Sequence, residues 1–248
     1  MNAPTPSSLD WKPVPLPVPV TLRGRYVTLE PLDAERHTAA LWQATDGHDE
    51  LWTWLFDGPF AAESDLHRAI EAKQAAASSL FLAIVPAAKG QPGSSDPQSG
   101  YPAGPGPWGG RAAGWACYMR MEPQHGVIEV GNILLSPALQ RTTAATEAMF
   151  LLASHIFDHL GYRRFEWKCN AENLPSRRAA ERLGFTFEGI FRQHMIVKGR
   201  NRDTAWFSML DREWPARKRA FETWLDPANF DGDGRQRRGL AEIAAALS

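Results

Sequence analysis

Four groups of residues in this chain have the types and spacing to do chemistry. Glu129 stands among apolar neighbours in VIEVGNILL, residues 127–135. Strict alternation puts Val127, Ile133 and Leu135 on one face of such a strand and Ile128, Val130 and Leu134 on the other, so a strand buried on both sides is expected. Burial penalises the charged carboxylate and raises its pKa toward the range where it can take a proton from an ammonium. The competing reading is a structural carboxylate paired with an arginine. The second group is Gln140, Arg141, Thr142, Thr143, Ala144 and Ala145, a polar turn that runs directly into an amphipathic helix. A helix start leaves backbone N–H groups unpaired, here over residues 142–145, and such groups can hold a phosphate. In the third, Asn173 stands at the head of another helix, placed to cap it. The fourth packs Trp52, Trp54, Phe56 and Phe60 into nine residues. Trp52, Leu55 and Phe56 fit one face of a short helix, which favours core packing. Trp54 falls off that face and Asp57-Gly58-Pro59 makes a turn, which suits an aromatic wall for a substrate instead.

These residues need elements to position them. After the turn, Ala145, Met149, Leu152, Ala153, Ile156, Phe157 and Leu160 recur at helical spacing until Gly161 stops the helix, with Glu147, His155, Asp158 and His159 on the opposite face. Upstream, residues 21–32 read as a strand or hairpin, Asp33 caps a helix over 34–44, residues 63–77 form a helix, and 80–85 form a strand. Residues 87–111, rich in Gly, Pro and Ser, read as a disordered or surface connection in a long hairpin from 80–85 to 113–121, which Trp108 could tether, though one Trp does not make a binding motif. Downstream come a strand over 163–170, the helix behind Asn173 ending at Gly184, and two antiparallel strands, 187–197 and 203–210, around a turn at 198–202. Helix-like stretches at 213–225 and 239–247 close the chain.

Composition narrows the function classes. The chain has 248 residues, 44% hydrophobic and 22% charged, enough for one substantial core with extensions. A formal charge of -1 lacks the basic excess of a general nucleic-acid binder. No apolar run is long enough to span a bilayer and no hydrophobic signal core opens the chain, so a cytoplasmic protein is expected. Cys117 and Cys169 read as inert, reduced core residues. Asp231, Asp233 and Glu242 have three spacings of a calcium loop, but Arg235 stands where a ligand belongs and Gln236 where the sharp-turn glycine belongs, so no metal is expected.

Three segments in order, IEVGNILLSP, QRTTAATEAM and NAENLPSRRAAERLGF followed by FEGIFRQ, resemble the GNAT superfamily of acyl-CoA-dependent N-acyltransferases, in its Rim-type branch named for ribosomal-protein N-terminal acetyltransferases. The resemblance covers roughly 21–215 without the insert. It implies an α/β (α+β) GNAT fold: a mixed, mostly antiparallel sheet of about seven strands flanked by helices, splayed between the fourth and fifth strands. It also implies acetyl-CoA as co-substrate, its pyrophosphate cradled by the turn Gln140, Arg141, Thr142, Thr143, Ala144 and Ala145. Gln140 and Ala145 match the family pattern; Thr143 stands where a glycine is usual, so either φ is negative there or affinity suffers, with Arg141, Thr142 and Thr143 side chains able to compensate. By the same resemblance Glu129 is the general base toward the acceptor amine, backbone N–H groups near Leu134 and Leu135 polarise the thioester carbonyl, and Ser176 assists the leaving thiolate while Asn173 orients the pantetheine arm or a water. The tyrosine many relatives use for that proton is replaced by Ala180. Asn173 as only a cap and Ser176 as only a small contact residue is the structural alternative, and His194 is a spare candidate.

The expected organisation is a proline-rich arm over 1–19, an acyltransferase domain over 20–212, and a helical extension over 213–248. The expected partners are a protein N-terminus or small-molecule amine, with no nucleic acid or membrane, in a monomer or homodimer. A catalytically silent acyl-CoA-binding module and a succinyl-CoA-using relative are the alternatives.

Overall fold

The computed structural model describes residues 9–87, 110–232 and 234–247. Most of the 87–111 insert, with Trp108, lies outside the described residues, as do 1–8 of the arm and Asp233 of the rejected calcium pattern. Eight strands form one sheet in the order β1-β2-β3-β4-β5-β6-β8-β7, antiparallel except for the parallel pair β5–β6. Residues 21–32 fold as the hairpin β1 (Leu22–Arg23) and β2 (Val27–Pro31). Strand β3 (Ser79–Pro86) pairs with β4 (Gly114–Glu122), which makes the insert a hairpin connection as its flanking patterns imply. β5 (Val127–Leu135) and β6 (Arg164–Asn170) occupy the centre, and β7 (Thr186–Val197) and β8 (Arg200–Leu210) close the far side.

Helices cover both faces. α1 (Ala34–Thr45), capped by the Asp33 carboxylate on the Arg36 N–H, and α2 (Glu63–Gln74) enclose one core with Trp52, Trp115, Cys117 and Leu134. α3 (Thr143–Ser154), extended by a π turn over His155–His159, encloses the larger core with α4 (Leu174–Arg182), α5 (Trp214–Leu225) and α6 (Leu240–Ala246). Gly161 ends the α3 segment at φ 75°, a left-handed geometry that costs glycine little. The C-terminal segment is part of this core. Trp214 stacks on Phe157 at 5.4 Å and Phe221 lies 5.6 Å from Phe150, so α5 covers the outward side of α3. The arm also docks: Trp11 donates to the Gln124 carbonyl at 2.8 Å, over the β4–β5 turn.

The helical wheel of α3 fails at two polar positions. His155 is buried, its Nδ1 3.4 Å from the Tyr118 hydroxyl. Glu147 is buried because its carboxylate accepts from the backbone N–H groups of Arg25, Tyr26 and Val27, at 2.8, 2.5 and 3.0 Å. A Cβ on Gly24 would collide with that carboxylate. The β1–β2 turn is therefore tied to α3 by one side chain, an interaction that no local periodicity encodes.

Simple alternation also fails along β5. Opposite β4, the register passes from Cys117–Gly131 to Trp115–Leu134, which inserts an extra residue in β5, and Asn132 there adopts φ 45°. This bulge reverses the parity of every residue beyond it. Ile128 and Val130 consequently share the α3 face with Ile133 and Leu135, while Leu134 turns to the α1–α2 core. A second bulge, in β4, places Arg120 at φ 45° opposite Ile128.

Candidate active site

The parallel ladder between β5 and β6 starts at Val127–Arg164 and ends at Val130–Trp167. Beyond it the strands diverge and two cavities open, one on each side of the splay, with Ile133 and Trp167 lining both.

The first cavity, about 570 Å3, lies on the α3 side and is lined by Ile133, Leu135, Met149 and Leu183 with Arg141, Thr142, Thr143 and Arg182 at its polar end. Its volume falls within the range of about 300–1,000 Å3 typical of ligand sites. The turn that leads into α3 is not the row of four free donors expected. Thr142 N–H reaches the Leu139 carbonyl at 3.4 Å, and the Thr142 hydroxyl caps Ala145 N–H at 3.2 Å. Thr143 and Ala144 keep N–H groups with no acceptor among the described residues. The left-handed residue is Arg141, at φ 61°, whereas Thr143 is the first residue of α3 and is buried. A threonine is thus sterically acceptable at 143, which answers the question its sequence position raised. Gln140 is held by its own turn, its Nε2 donating to the Leu135 carbonyl at 3.0 Å.

Alternation decides which β5 amides face the open edge. Ser136 N–H bonds the Ala113 carbonyl at 3.0 Å, toward β4, while the Leu135 carbonyl points the other way to Gln140. The N–H of Leu134 therefore faces β4, and those of Ile133 and Leu135 face the splay. Of the pair expected there, Leu135 stays and Leu134 gives way to Ile133, because the bulge turned Leu134 into the other core.

The second cavity, about 140 Å3, is lined by Leu51, Trp54, Leu55 and Phe56 on one wall and by Arg120, Glu129, Lys168, Asn173, Ser176 and Arg202 elsewhere. Trp54 and Phe56 are partly exposed, as a wall requires. Trp52 and Phe60 are absent from it. Trp52 is 3% exposed, its ring centroid 4.9 Å from Phe60 and 5.9 Å from Trp115. Truncating such a ring costs about 3–5 kcal/mol, so Trp52 serves the α1–α2 core and Phe60 packs against it. Lys198, from the β7–β8 turn, fixes this loop by donating to the carbonyls of Trp52 and Asp57 at 2.7 and 2.9 Å.

Glu129 is buried, but not as an isolated acid. Its Oε2 accepts from Lys168 Nζ at 2.9 Å and Arg120 Nη1 at 3.2 Å, so the ion-paired reading describes its surroundings, with a lysine added to the arginine. Oε1 has no partner among the described residues and lies beside Gly131, where a Cβ would crowd both Oε1 and Met119 Sδ. Lys168 also meets Glu166 at 2.6 Å and sits 3.8 Å over the Trp206 ring. Asn173 caps α4, its Oδ1 accepting from Ser176 N–H at 3.1 Å. Ser176 Oγ accepts from Trp167 Nε1 at 3.0 Å, which orients its hydroxyl. Cys169 lines the same cavity, and burial pushes its thiol above the usual range, with the Ser176 contact opposing, so it stays a neutral thiol. His194 does not line the cavity. It sits 2.9 Å from the Thr204 hydroxyl, and partial burial with the charges of Arg120, Arg202 and Lys168 pulls its pKa down.

Arg120 and Lys168, which hold Glu129, were not singled out from sequence, and neither were several other lining residues. Trp224, Phe230 and Gln236, from the C-terminal segment, line the first cavity, and Arg202 lines the second. Arg182 bridges toward α5, with its guanidinium 5.0 Å from the Trp224 ring. Residues 213–225 read only as helix-like in sequence; what that helix packs over is not encoded in its local pattern. Among the described residues no helix is long and apolar enough to cross a membrane.

An acetyltransferase (GNAT) domain model matches residues 27–186. An uncharacterized N-acetyltransferase p20 from Bacillus licheniformis is 39% identical over 70 residues, 28% of this chain and 39% of the relative. A putative ribosomal N-acetyltransferase, YdaF, from Bacillus subtilis is 34% identical over 73 residues, 29% of this chain and 40% of the relative. The matched stretch thus spans about two fifths of each curated relative. The crystal structure of a GCN5-related N-acetyltransferase from Brucella melitensis superposes with a TM-score of 0.85 at 45% identity, over 95% of this chain and 99% of that one. With the domain match spanning well over half of the sequence and a splayed β5–β6 pair beneath it, the chain belongs to the GNAT acetyltransferase family.

Proposed function

We propose that the protein transfers an acyl group, acetyl by default, from acyl-CoA to a primary amine by direct attack. The observation that carries this reading is that two cavities share Ile133 and Trp167 at the splay, one ending on a helix N-terminus with Arg141, the other holding a buried carboxylate. The first cavity fits coenzyme A in its chemistry: apolar walls for the pantetheine arm, then two free backbone donors, Thr143 and Ala144, beside Arg141 for pyrophosphate. When bound, acyl-CoA supplies the activated acyl group.

This chain's residues do the rest. The N–H groups of Ile133 and Leu135 face the open edge of β5, where a thioester oxygen gains charge during attack. Glu129 takes a proton from the incoming ammonium through its unpartnered Oε1, while Lys168 and Arg120 hold the carboxylate in place through Oε2. Ser176, oriented by Trp167, donates a hydrogen bond to the departing sulfur. The acceptor is a primary amine, either a protein N-terminus, as the name of the Bacillus subtilis relative suggests, or a small molecule.

The test is release of CoA from acetyl-CoA, with a succinyl-CoA arm, across a panel of peptides and small amines with products identified by mass spectrometry. Turnover of at least one amine class is expected. Binding of CoA without turnover of any amine leaves the acyl-CoA-binding module as the function.

The cradle has its own test. Arg141 holds φ 61° at the price of strain, so Arg141→Gly should raise stability by about 0.5–1 kcal/mol. The same change removes a guanidinium from the first cavity and should weaken CoA binding about tenfold, by loss of a charge-assisted contact. Calorimetry on both proteins reads both effects. A stabilised variant with unaltered affinity would take Arg141 out of the cofactor site.

A further inference from the structure

The charges around the second cavity do not balance. Arg120 and Lys168 share Glu129, Lys168 and Arg164 share Glu166, and Arg164 is paired with Glu188. Three carboxylates thus occupy three cations, and a fourth cation, Arg202, remains. It is 7% exposed, its Nε is buried without a hydrogen-bond partner, and no ion pair of its guanidinium occurs among the described residues. Its Cζ lies over the Phe56 ring, 5.2 Å from the centroid. Burial pulls the Arg202 pKa down, opposed first by the charge of Glu129, yet a guanidinium stays charged under any ordinary condition. A buried, unmatched cation is costly to a fold and is retained where a ligand anion completes it.

We propose that the acceptor amine carries a carboxylate and that Arg202, on β8, binds this carboxylate while Glu129 receives the amine. This deepens the transferase reading and rests on it. A guanidinium fork matches a carboxylate with two parallel hydrogen bonds, and Glu129 and Arg202 line the same cavity with opposite charge. Together they complement a zwitterion: ammonium at one end, carboxylate at the other. The cavity volume of about 140 Å3 suits a small head group, and Trp54, Leu55 and Phe56 offer an apolar wall for its side chain. A free amino acid presents this chemistry in its own backbone. A peptide presents it only through an acidic side chain near its N-terminus, since its first carboxyl is an amide. Arg202 is then a specificity-determining residue, touching the acceptor and not the reacting atoms.

The experiment uses the full-length protein with acetyl-CoA and matched acceptors: phenylalanine, its amide, phenethylamine, and short peptides with Glu or Ala as second residue. We expect kcat/KM for the carboxylate-bearing acceptor to exceed that for its amide by about 10- to 100-fold, mostly in KM. Arg202→Met should abolish that preference by lowering kcat/KM for the acid far more than for its amide, with acetyl-CoA affinity unchanged, and Arg202→Lys should restore part of it. A preference for phenylalanine over both peptides identifies an amino acid; preference for the Glu peptide identifies a peptide source. Equal use of acid and amide by the wild type overturns the proposal, as does an equal loss for both in Arg202→Met. Binding of N-acetylphenylalanine and its amide to the unmodified protein, by calorimetry, decides the matter without relying on the variants. If no amine turns over but the acid binds more tightly than the amide, the transfer reading fails and the carboxylate site stands. Equal binding removes the site.

Discussion

Glu129→Gln should lower kcat/KM for amine acceptors by about 10²–10⁴-fold, the usual contribution of a positioned general base, with acetyl-CoA affinity unchanged. Glutamine keeps the shape of the side chain and an oxygen toward Lys168 and Arg120, so the change removes charge and basicity more than packing. Lys168 retains Glu166 at 2.6 Å, which limits the electrostatic damage. Thermal denaturation of the variant should therefore stay close to that of the parent. The decisive comparison is between acceptors of different basicity. An amine that is largely neutral at the assay pH does not need Glu129 to remove its proton, and its loss on substitution should be far smaller than that of an alkyl ammonium. An identical loss for both amines would show that Glu129 only positions Lys168 and Arg120, which is the structural alternative to a base. Restoration of activity toward alkyl amines at higher pH in the variant is the companion result.

Glu147→Ala should destabilise the fold by about 3 kcal/mol, since it strips the acceptor from three backbone N–H groups, of which that of Val27 is buried. The residue is far from conspicuous in sequence, yet it is the side-chain link between α3 and the β1–β2 turn. Its pH dependence has a defined sign. Burial raises the Glu147 pKa above the ordinary carboxylate range, against the pull of the three N–H groups and Arg25. In the window between the unfolded and folded values the folded state binds more protons than the unfolded one. The contribution of this group is therefore fully present below the unfolded pKa and is lost as pH rises through the folded one. The stability gap between parent and Glu147→Ala, measured by urea denaturation at a series of pH values, should narrow as pH rises above about 4.5. A gap that widens over that window would contradict the direction of the shift. Because α3 also follows the turn proposed to hold pyrophosphate, the variant should lose CoA affinity only in proportion to its unfolded fraction.

Residue by residue, legibility followed the range of the interaction. Asp33 and Asn173 act as caps through bonds to residues three positions along, and both were readable because capping is local. The buried face of α3 and the stop at Gly161 were readable for the same reason. Glu129 was singled out by its apolar neighbours, the helix start at 142–145 by its unpaired N–H groups, and Ser176 by the family resemblance. Misplaced residues share another property. Leu134 and Ile133 exchanged faces because one bulge at Asn132 broke a period of two, and a bulge depends on register with β4, not on β5 alone. Trp52 and Phe56 are four residues apart and equally aromatic, but only the former meets Trp115.

The sequence by itself determined the elements, their order, the family and the chemical kinds of residue at the site, because periodicity, caps and motif spacing are written within a few turns of chain. The tertiary structure alone decided which groups face one another. It set Lys168 and Arg120 on Glu129, left Arg202 without an ion-pair partner among the described residues, and brought Trp224 and Phe230 from the C-terminal segment to the wall of the first cavity. Those relations join strands and helices far apart in the chain, and an ion pair or a cavity exists only once the sheet register has been fixed.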